Sequence, residues 1–216
     1  MATLAQHAQE GTMTKTPLSI EPSSLTLRLS PVIDLTEEQF FEFCQINRDL
    51  RIEQTAKGDL IIMPPTGGET GRRNFKLNIP FGIWEKQDGS GVTFDSSTGF
   101  ILPNGAKRSP DVSWVKRSRL ARLTPAEKKK FLPLCPDFVV ELRSASDSVK
   151  ELQDKMQEYI DNGAQLGWLI DPENKRVYVY RPHSEVECLE NPSTLSGEPV
   201  LPGFVLDLRE IWEAGF

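Results

Sequence analysis

Residues 108–159 decide how this chain is read. They run from Arg108-Ser-Pro-Asp111 through Asp111-Val-Ser-Trp-Val115, a basic crossing and Pro136-Asp-Phe-Val-Val-Glu141, to a helical segment carrying Lys155 and Tyr159. Strand alternation in 111–115 puts Asp111, Ser113 and Val115 on one face. Phe138 to Leu142 is nearly continuous apolar sequence, the pattern of a central strand covered on both sides. From Ser146 to Asp161 the spacing predicts a helix with Val149, Leu152, Met156, Tyr159 and Ile160 inward and Asn162-Gly163 as its stop. At about 100° per residue, Lys155 falls on the edge of that stripe.

The flanks extend the pattern in both directions. Thr36-Glu-Glu-Gln39 is a capping box opening a helix with Phe40, Phe41, Phe43 and Cys44 on its apolar side. Leu50–Thr55 and Asp59–Met63 around Lys57-Gly58 predict a β-hairpin. Pro64-Pro-Thr-Gly-Gly68 breaks the chain before a second helix, where Phe75, Leu77, Ile79, Phe81, Ile83 and Trp84 mark a buried segment and Pro80 is expected to kink it. Val92–Asp95 and Gly99–Leu102 predict another hairpin, and Leu166–Ile170 with Arg176–Tyr180 a further strand pair. A short strand near Val205 and a last helix over 208–213 close the chain. Residues 1–30 are polar, contain Pro17 and Pro22, and read as an arm. The expectation is one α/β domain over 31–216, of a size that fills a single core.

Composition excludes several classes. No apolar run is long enough to cross a membrane, and no signal-peptide pattern opens the chain. Cys44, Cys135 and Cys188 have no zinc-ligand spacing, which points to a reducing cytoplasm. The net charge of −6 argues against a coat for nucleic acid. The charge is uneven, however. Between Lys107 and Lys130 stand nine basic residues against Asp111 and Glu127. Lys107, Arg108, Lys116, Arg117 and Arg119 are therefore candidates for phosphate contacts along a polyanion, the alternative being a solvated surface loop.

A carboxylate on a central strand must be paired or hold a cation, because burying a lone charge is costly. An arginine at the sheet end satisfies Glu141. A Mg²⁺ or Mn²⁺ ion shared with Asp111 satisfies both carboxylates and suits phosphate chemistry. Lys155 can point along the sheet towards the pair and orient a water, or it can pair on the surface with Glu151 one turn back. Arg143 shares the strand face of Glu141 and can stabilise phosphate charge, but it stays protonated.

Ser109-Pro-Asp111, Val139-Val-Glu141, Ser144 and the helix with Lys155 and Tyr159 resemble the bacterial restriction endonucleases of the Uma type, a branch of the PD-(D/E)XK nuclease superfamily. The resemblance extends to Pro65-Thr-Gly-Gly-Glu-Thr-Gly-Arg-Arg-Asn74 and Gly167-Trp-Leu-Ile-Asp-Pro172 and covers about residues 33 to 210. It implies a restriction endonuclease-like core with a central mixed sheet flanked by helices. It also implies a Mg²⁺ (or Mn²⁺) site on Asp111 and Glu141, an additional acidic residue at Glu69, and a lysine moved from the strand to the helix at Lys155. Arg143 stands where the E-x-K lysine would be, and Thr70 where many relatives carry histidine. Arg143 and Tyr159 are auxiliary candidates. The implied function is hydrolysis of DNA phosphodiester bonds. Cleavage of both strands of a symmetric duplex calls for two sites related by a two-fold, so a homodimer is expected, with the arm 1–30 as the candidate exchanged element. The rival is a nuclease-fold module that binds nucleic acid or assembles without cutting.

Overall fold

The computed structural model describes residues 24–213 and residue 215. Its elements in chain order are β1 (Leu25–Leu27), α1 (Glu37–Ile46), β2 (Arg51–Gln54), β3 (Leu60–Met63), α2 (Gly68–Asp88), β4 (Gly91–Asp95), β5 (Phe100–Ile101), β6 (Lys107–Arg108) and β7 (Val112–Lys116). There follow α3 (Arg117–Leu120), β8 (Phe138–Leu142), α4 (Val149–Asp161), β9 (Leu166–Asp171), β10 (Arg176–Tyr180), β11 (Glu187–Glu190), β12 (Thr194–Ser196), β13 (Val205–Asp207) and α5 (Arg209–Trp212).

The apolar run of β8 is buried at every position, as a central strand must be. It lies in a mixed six-stranded sheet ordered β11-β10-β9-β8-β7-β4, parallel to β9 and antiparallel to β7. Helix α4 makes the parallel crossover from β8 to β9 that such a pairing requires. Alternation along β8 separates two cores. Phe138, Val140 and Leu142 pack with Leu77, Phe81 and Trp84 of α2, whereas Val139 packs with Met156 and Tyr159 of α4. The fold is a mixed α/β sheet flanked by helices, with a second sheet ordered β1-β3-β2-β6-β5 set beside it.

Several local expectations hold. The Thr36 capping box forms in both directions, and the β2–β3 hairpin turns through Gly58 at φ 89°. Ser148 caps α4, whose end at Asn162-Gly163 agrees with the sequence, and the β9–β10 hairpin pairs over five residues. No described helix is long and apolar enough to cross a membrane.

Others are corrected. Residues 92–95 and 99–102 do not form a hairpin with each other. β4 finds five partners along β7, a longer ladder than the two-residue β5 offers, and β5 turns back through Gly105 onto β6 in the other sheet. Helix α2 passes through Pro80 without interruption, since Leu77, Phe81 and Trp84 anchor it on both sides of the missing N–H. Phe75, Ile79 and Ile83, expected inside, are exposed at 63, 40 and 56% because they lie on the opposite face of the same helix. Of the expected arm 1–30, residues 1–23 lie outside the described residues, while Leu25–Leu27 is the strand β1, paired with β3.

The Trp114 indole occupies the space beside Gly91, where an added Cβ would come within 2.2 Å of the ring. Gly91→Ala should therefore overpack this core and cost about 1–3 kcal/mol. Urea unfolding that leaves the midpoint of the variant unmoved would contradict this packing.

Candidate functional site

The register of β7 on β8 pairs Val112 with Val140, so Asp111, one residue before β7, stands opposite Glu141. Both lie on the face that α4 covers. The backbone N–H of Leu142 donates to Asp111 Oδ2 at 2.8 Å, and Arg51 Nη2 lies 3.6 Å from Oδ1. On α4, Met156 and Tyr159 are buried, and Lys155 between them and the cleft is carried inward. Its Nζ is 2.8 Å from Glu141 Oε1, to which the Tyr159 hydroxyl also donates at 3.0 Å. The surface pairing of Lys155 with Glu151 does not form.

A residue that sequence reasoning missed completes the network. Glu53, on β2 of the second sheet, accepts from Lys155 Nζ at 2.9 Å, Arg108 Nη1 at 3.1 Å and the Ser109 N–H at 3.0 Å. Arg108 Nε also donates to Glu158 at 2.7 Å. By alternation Arg51 and Glu53 share one strand face, and two opposite charges on a short hairpin read as solvent-facing. Only the docking of this sheet against α4 turns that face inward, so the local sequence carried little signal.

Burial opposes ionisation of Glu53, yet Lys155, Arg108 and the Ser109 N–H hold its pKa down at about 2. Glu141 goes the other way. Burial, reinforced by the charges of Asp111 and Glu53, lifts it to about 7 against the pull of Lys155. Burial also raises Asp111, with Arg51 and the Leu142 N–H opposing. For Lys155 burial disfavours the ammonium, but Glu141 and Glu53 outweigh it and hold the pKa above its ordinary value. Lys155 is therefore a fixed cation rather than a proton acceptor near neutrality.

Asp111, Glu141, Lys155, Arg51, Thr70 and Asn74 line one narrow cleft of about 110 Å³. Asp111 and Glu141 face each other there and could hold a cation; Asp147, the third carboxylate of the lining, accepts from the Ser144 N–H. The protein's hydrogen bonds engage Asp111 Oδ2 and Glu141 Oε1, and among the described residues no donor bonds Oδ1 or Oε2. The described residues hold no group of three or more His, Cys, Asp and Glu placed to bind a metal. Two carboxylates with room for water fit Mg²⁺, which is typically held by one or two carboxylates and keeps several waters.

The remaining candidates fall elsewhere. Glu69 sits in the exposed first turn of α2, paired with Arg73 at 3.4 Å, and does not line this cleft. Thr70 does. Arg143 leaves the end of β8 for Asp171 and Glu173, at 3.0 and 2.8 Å. Lys107 and Arg108, expected on a basic loop, are buried. Lys107 donates to Gln54 and Arg108 is taken by Glu53 and Glu158. Lys116 ends β7 and Arg117 opens α3, about 17 Å along the strand from Asp111 at ~3.3 Å per residue. Arg117 bonds the carbonyls of Gly89 and Gly91, and Arg119 pairs with Asp137. Burial raises the thiols of Cys44 and Cys135 to about 11 and 12, which disfavours a thiolate nucleophile at either.

Residues 37–209 match the Uma2 family model, described as "Putative restriction endonuclease". Among solved structures, a "putative nuclease" from Anabaena variabilis matches with a TM-score of 0.64 at 19% identity, covering 83% of this chain and 98% of that one. No curated protein matches the chain.

Replacing Glu53 with glutamine removes a buried anion from three donors and should cost about 3 kcal/mol, the low end for breaking a buried pair. Because the Glu53 pKa is lowered, its contribution is present above the ordinary carboxylate pKa and fades as pH falls towards about 2. Denaturant unfolding should therefore show the gap between wild type and Glu53→Gln at pH 7 shrinking between pH 5 and pH 3. A gap independent of pH would contradict the assignment.

Proposed function

The chain belongs to the Uma2 family of restriction endonuclease-like proteins, and on that premise we propose that it is a Mg²⁺-dependent endonuclease hydrolysing DNA phosphodiester bonds. One observation carries the reading. Asp111 and Glu141 face each other at a strand end, and the Lys155 ammonium lies 2.8 Å from Glu141 in the same cleft.

Asp111 and Glu141 would hold the Mg²⁺ (or Mn²⁺) ion, which when bound supplies Lewis-acid polarisation of a phosphoryl oxygen and a more acidic water. The rest belongs to the chain's own groups. Lys155, kept protonated by Glu53 and Glu141, offsets the negative charge that grows on phosphorus-bound oxygens and orients the attacking water. Glu53, on β2, positions Lys155 and ties it to the second sheet directly, while Arg108 on the neighbouring β6 holds Glu53 in place. The Tyr159 hydroxyl fixes the rotamer of Glu141. Glu69 and Arg143 have no part in this assignment, because their partners lie outside the cleft.

A homodimer belongs to the same proposal, since two clefts related by a two-fold would cut both strands of a duplex. The exposed Phe75, Ile79 and Ile83 stripe on α2 supports a second copy at that face. Sedimentation should give twice the chain mass for wild type and a single chain mass for Ile79→Asp. A monomeric wild type at micromolar concentration removes the dimer from the reading.

Plasmid nicking in Mg²⁺ or Mn²⁺ should fall by about 10²–10³ in Lys155→Ala, the usual cost of one preorganised charge-stabilising group. Equal cleavage by wild type and variant would exclude Lys155, and binding without cleavage in both would favour a non-catalytic module. Because Glu141 carries a proton until about pH 7, Mg²⁺ binding followed by calorimetry should weaken about tenfold per pH unit below 7 and level off above it. Binding unchanged in the Asp111→Ala/Glu141→Ala double variant would overturn the metal assignment.

A further inference from the structure

Arginines around the cleft differ in how far they are used. Arg108 is held by Glu53 and Glu158, Arg143 by Asp171 and Glu173, and Arg73 by Glu69 and the Ile211 carbonyl. Arg51 is not. One arm, Nη2, donates to the Ser109 carbonyl at 2.7 Å and approaches Asp111 only to 3.6 Å. Its Nε–H is buried without a partner among the described residues. The Asn74 Oδ1 atom, on α2 and lining the same cleft, is likewise buried and has no partner among the described residues. Unmet buried donors and acceptors are costly and uncommon, so two of them in one cleft mark a place for a polar ligand.

Arg51 also stands where two cavities adjoin. On one side is the narrow Asp111–Glu141 cleft. On the other is a wider hollow of about 640 Å³ with Arg48, Leu50, Ser97 and Ser109 in its wall. Across the cleft, Gly67, Thr70 and Ser144 are shared with a third hollow of about 470 Å³ that includes Arg73. The three adjoin through these shared residues, with the smallest of them over the carboxylate pair. The basic segment at 116–130 begins at the far end of β7 from Asp111.

We propose that Arg51 is a substrate-contacting residue. It grips a phosphate of a single strand that runs along these hollows from the Arg48 side, over Asp111 and Glu141, to the Thr70 side. This rests on the nuclease reading and adds to it the path of the strand and the residue that holds it. A guanidinium with a free Nε–H and a second N–H close by offers the planar fork that phosphate oxygens accept.

The test uses the full chain and a fluorescein-labelled oligothymidylate, read by anisotropy over a salt series in Ca²⁺ and again in EDTA. Arg51→Ala should bind about tenfold more weakly, with a salt slope smaller by roughly 0.7, the loss of one single-strand phosphate contact. Arg51→Lys keeps the charge without the fork, so it should retain the slope and lose only part of the affinity. Thermal melts confirm that each variant is folded. The Lys128→Ala/Lys129→Ala variant, on the remote basic segment, should match wild type. Wild-type affinity and slope in Arg51→Ala, or loss in the lysine pair instead, overturns the path while leaving the nuclease reading intact. If wild type binds neither this strand nor a duplex, the nuclease reading fails and the path with it.

Discussion

A buried carboxylate that stays ionised must be met by donors, and Glu53 is met three times. The ammonium of Lys155, the guanidinium of Arg108 and the backbone N–H of Ser109 converge on it from a helix, a strand and the link into β7. None of these contacts is local. Glu53 belongs to the smaller sheet, while Lys155 rides on the helix that covers the larger one. The Lys155–Glu53 and Arg108–Glu158 pairs therefore cross the boundary between the smaller sheet and α4, while Arg108–Glu53 ties two strands within the smaller sheet. Remove Glu53 and both cations lose the anion that connects them, although each keeps a second partner in Glu141 or Glu158.

That crossing also decides the character of the cleft. Lys155 is shared by two carboxylates, so it is a permanent positive charge and not a base waiting to be uncovered. Glu141 pays for the same crowding, since burial and the neighbouring anions push its pKa to about 7. Behind the cleft, Glu53 is firmly ionised against Lys155, while in the cleft wall Asp111 and Glu141 face each other and burial favours the protonated form of both. A cation entering between that pair would relieve the strain that neither Lys155 nor Arg51 fully relieves.

What could be read from the sequence follows from how far each signal travels along the chain. Asp111, Glu141, Lys155 and Tyr159 lie on a strand end, a strand and a helix whose periodicities are local, so their common face could be inferred from alternation and helix phase. The same reasoning placed the end of α4 at Asn162-Gly163 to the residue, while its start lies at Val149, three residues after the expected Ser146. Glu53 was invisible because its inward direction is set by sheet docking and not by its own strand. Lys107 and Arg108 misled for a related reason: composition marks them as surface charge, while Gln54, Glu53 and Glu158 draw them inside. The failed 92–102 hairpin shows proximity in sequence losing to a longer ladder elsewhere. Phe75, Ile79 and Ile83 show an apolar helix with more hydrophobic surface than its core can take.

The separation of Glu53 from its partners has a consequence for how the protein is made. Arg108 follows it by 55 residues and Lys155 by 102. At roughly 5–20 residues per second, on the order of 5–20 seconds of synthesis pass between the anion and its ammonium. During that interval the β2–β3 hairpin can form, but its charged face has nothing to turn towards and stays in water. The ammonium can reach its anion only once α4 has left the ribosome, so a chain that ended before that helix would carry Glu53, Asp111 and Glu141 without Lys155 or Glu158. The cleft is therefore completed late, since its lining draws on residues from Arg51 to Lys155.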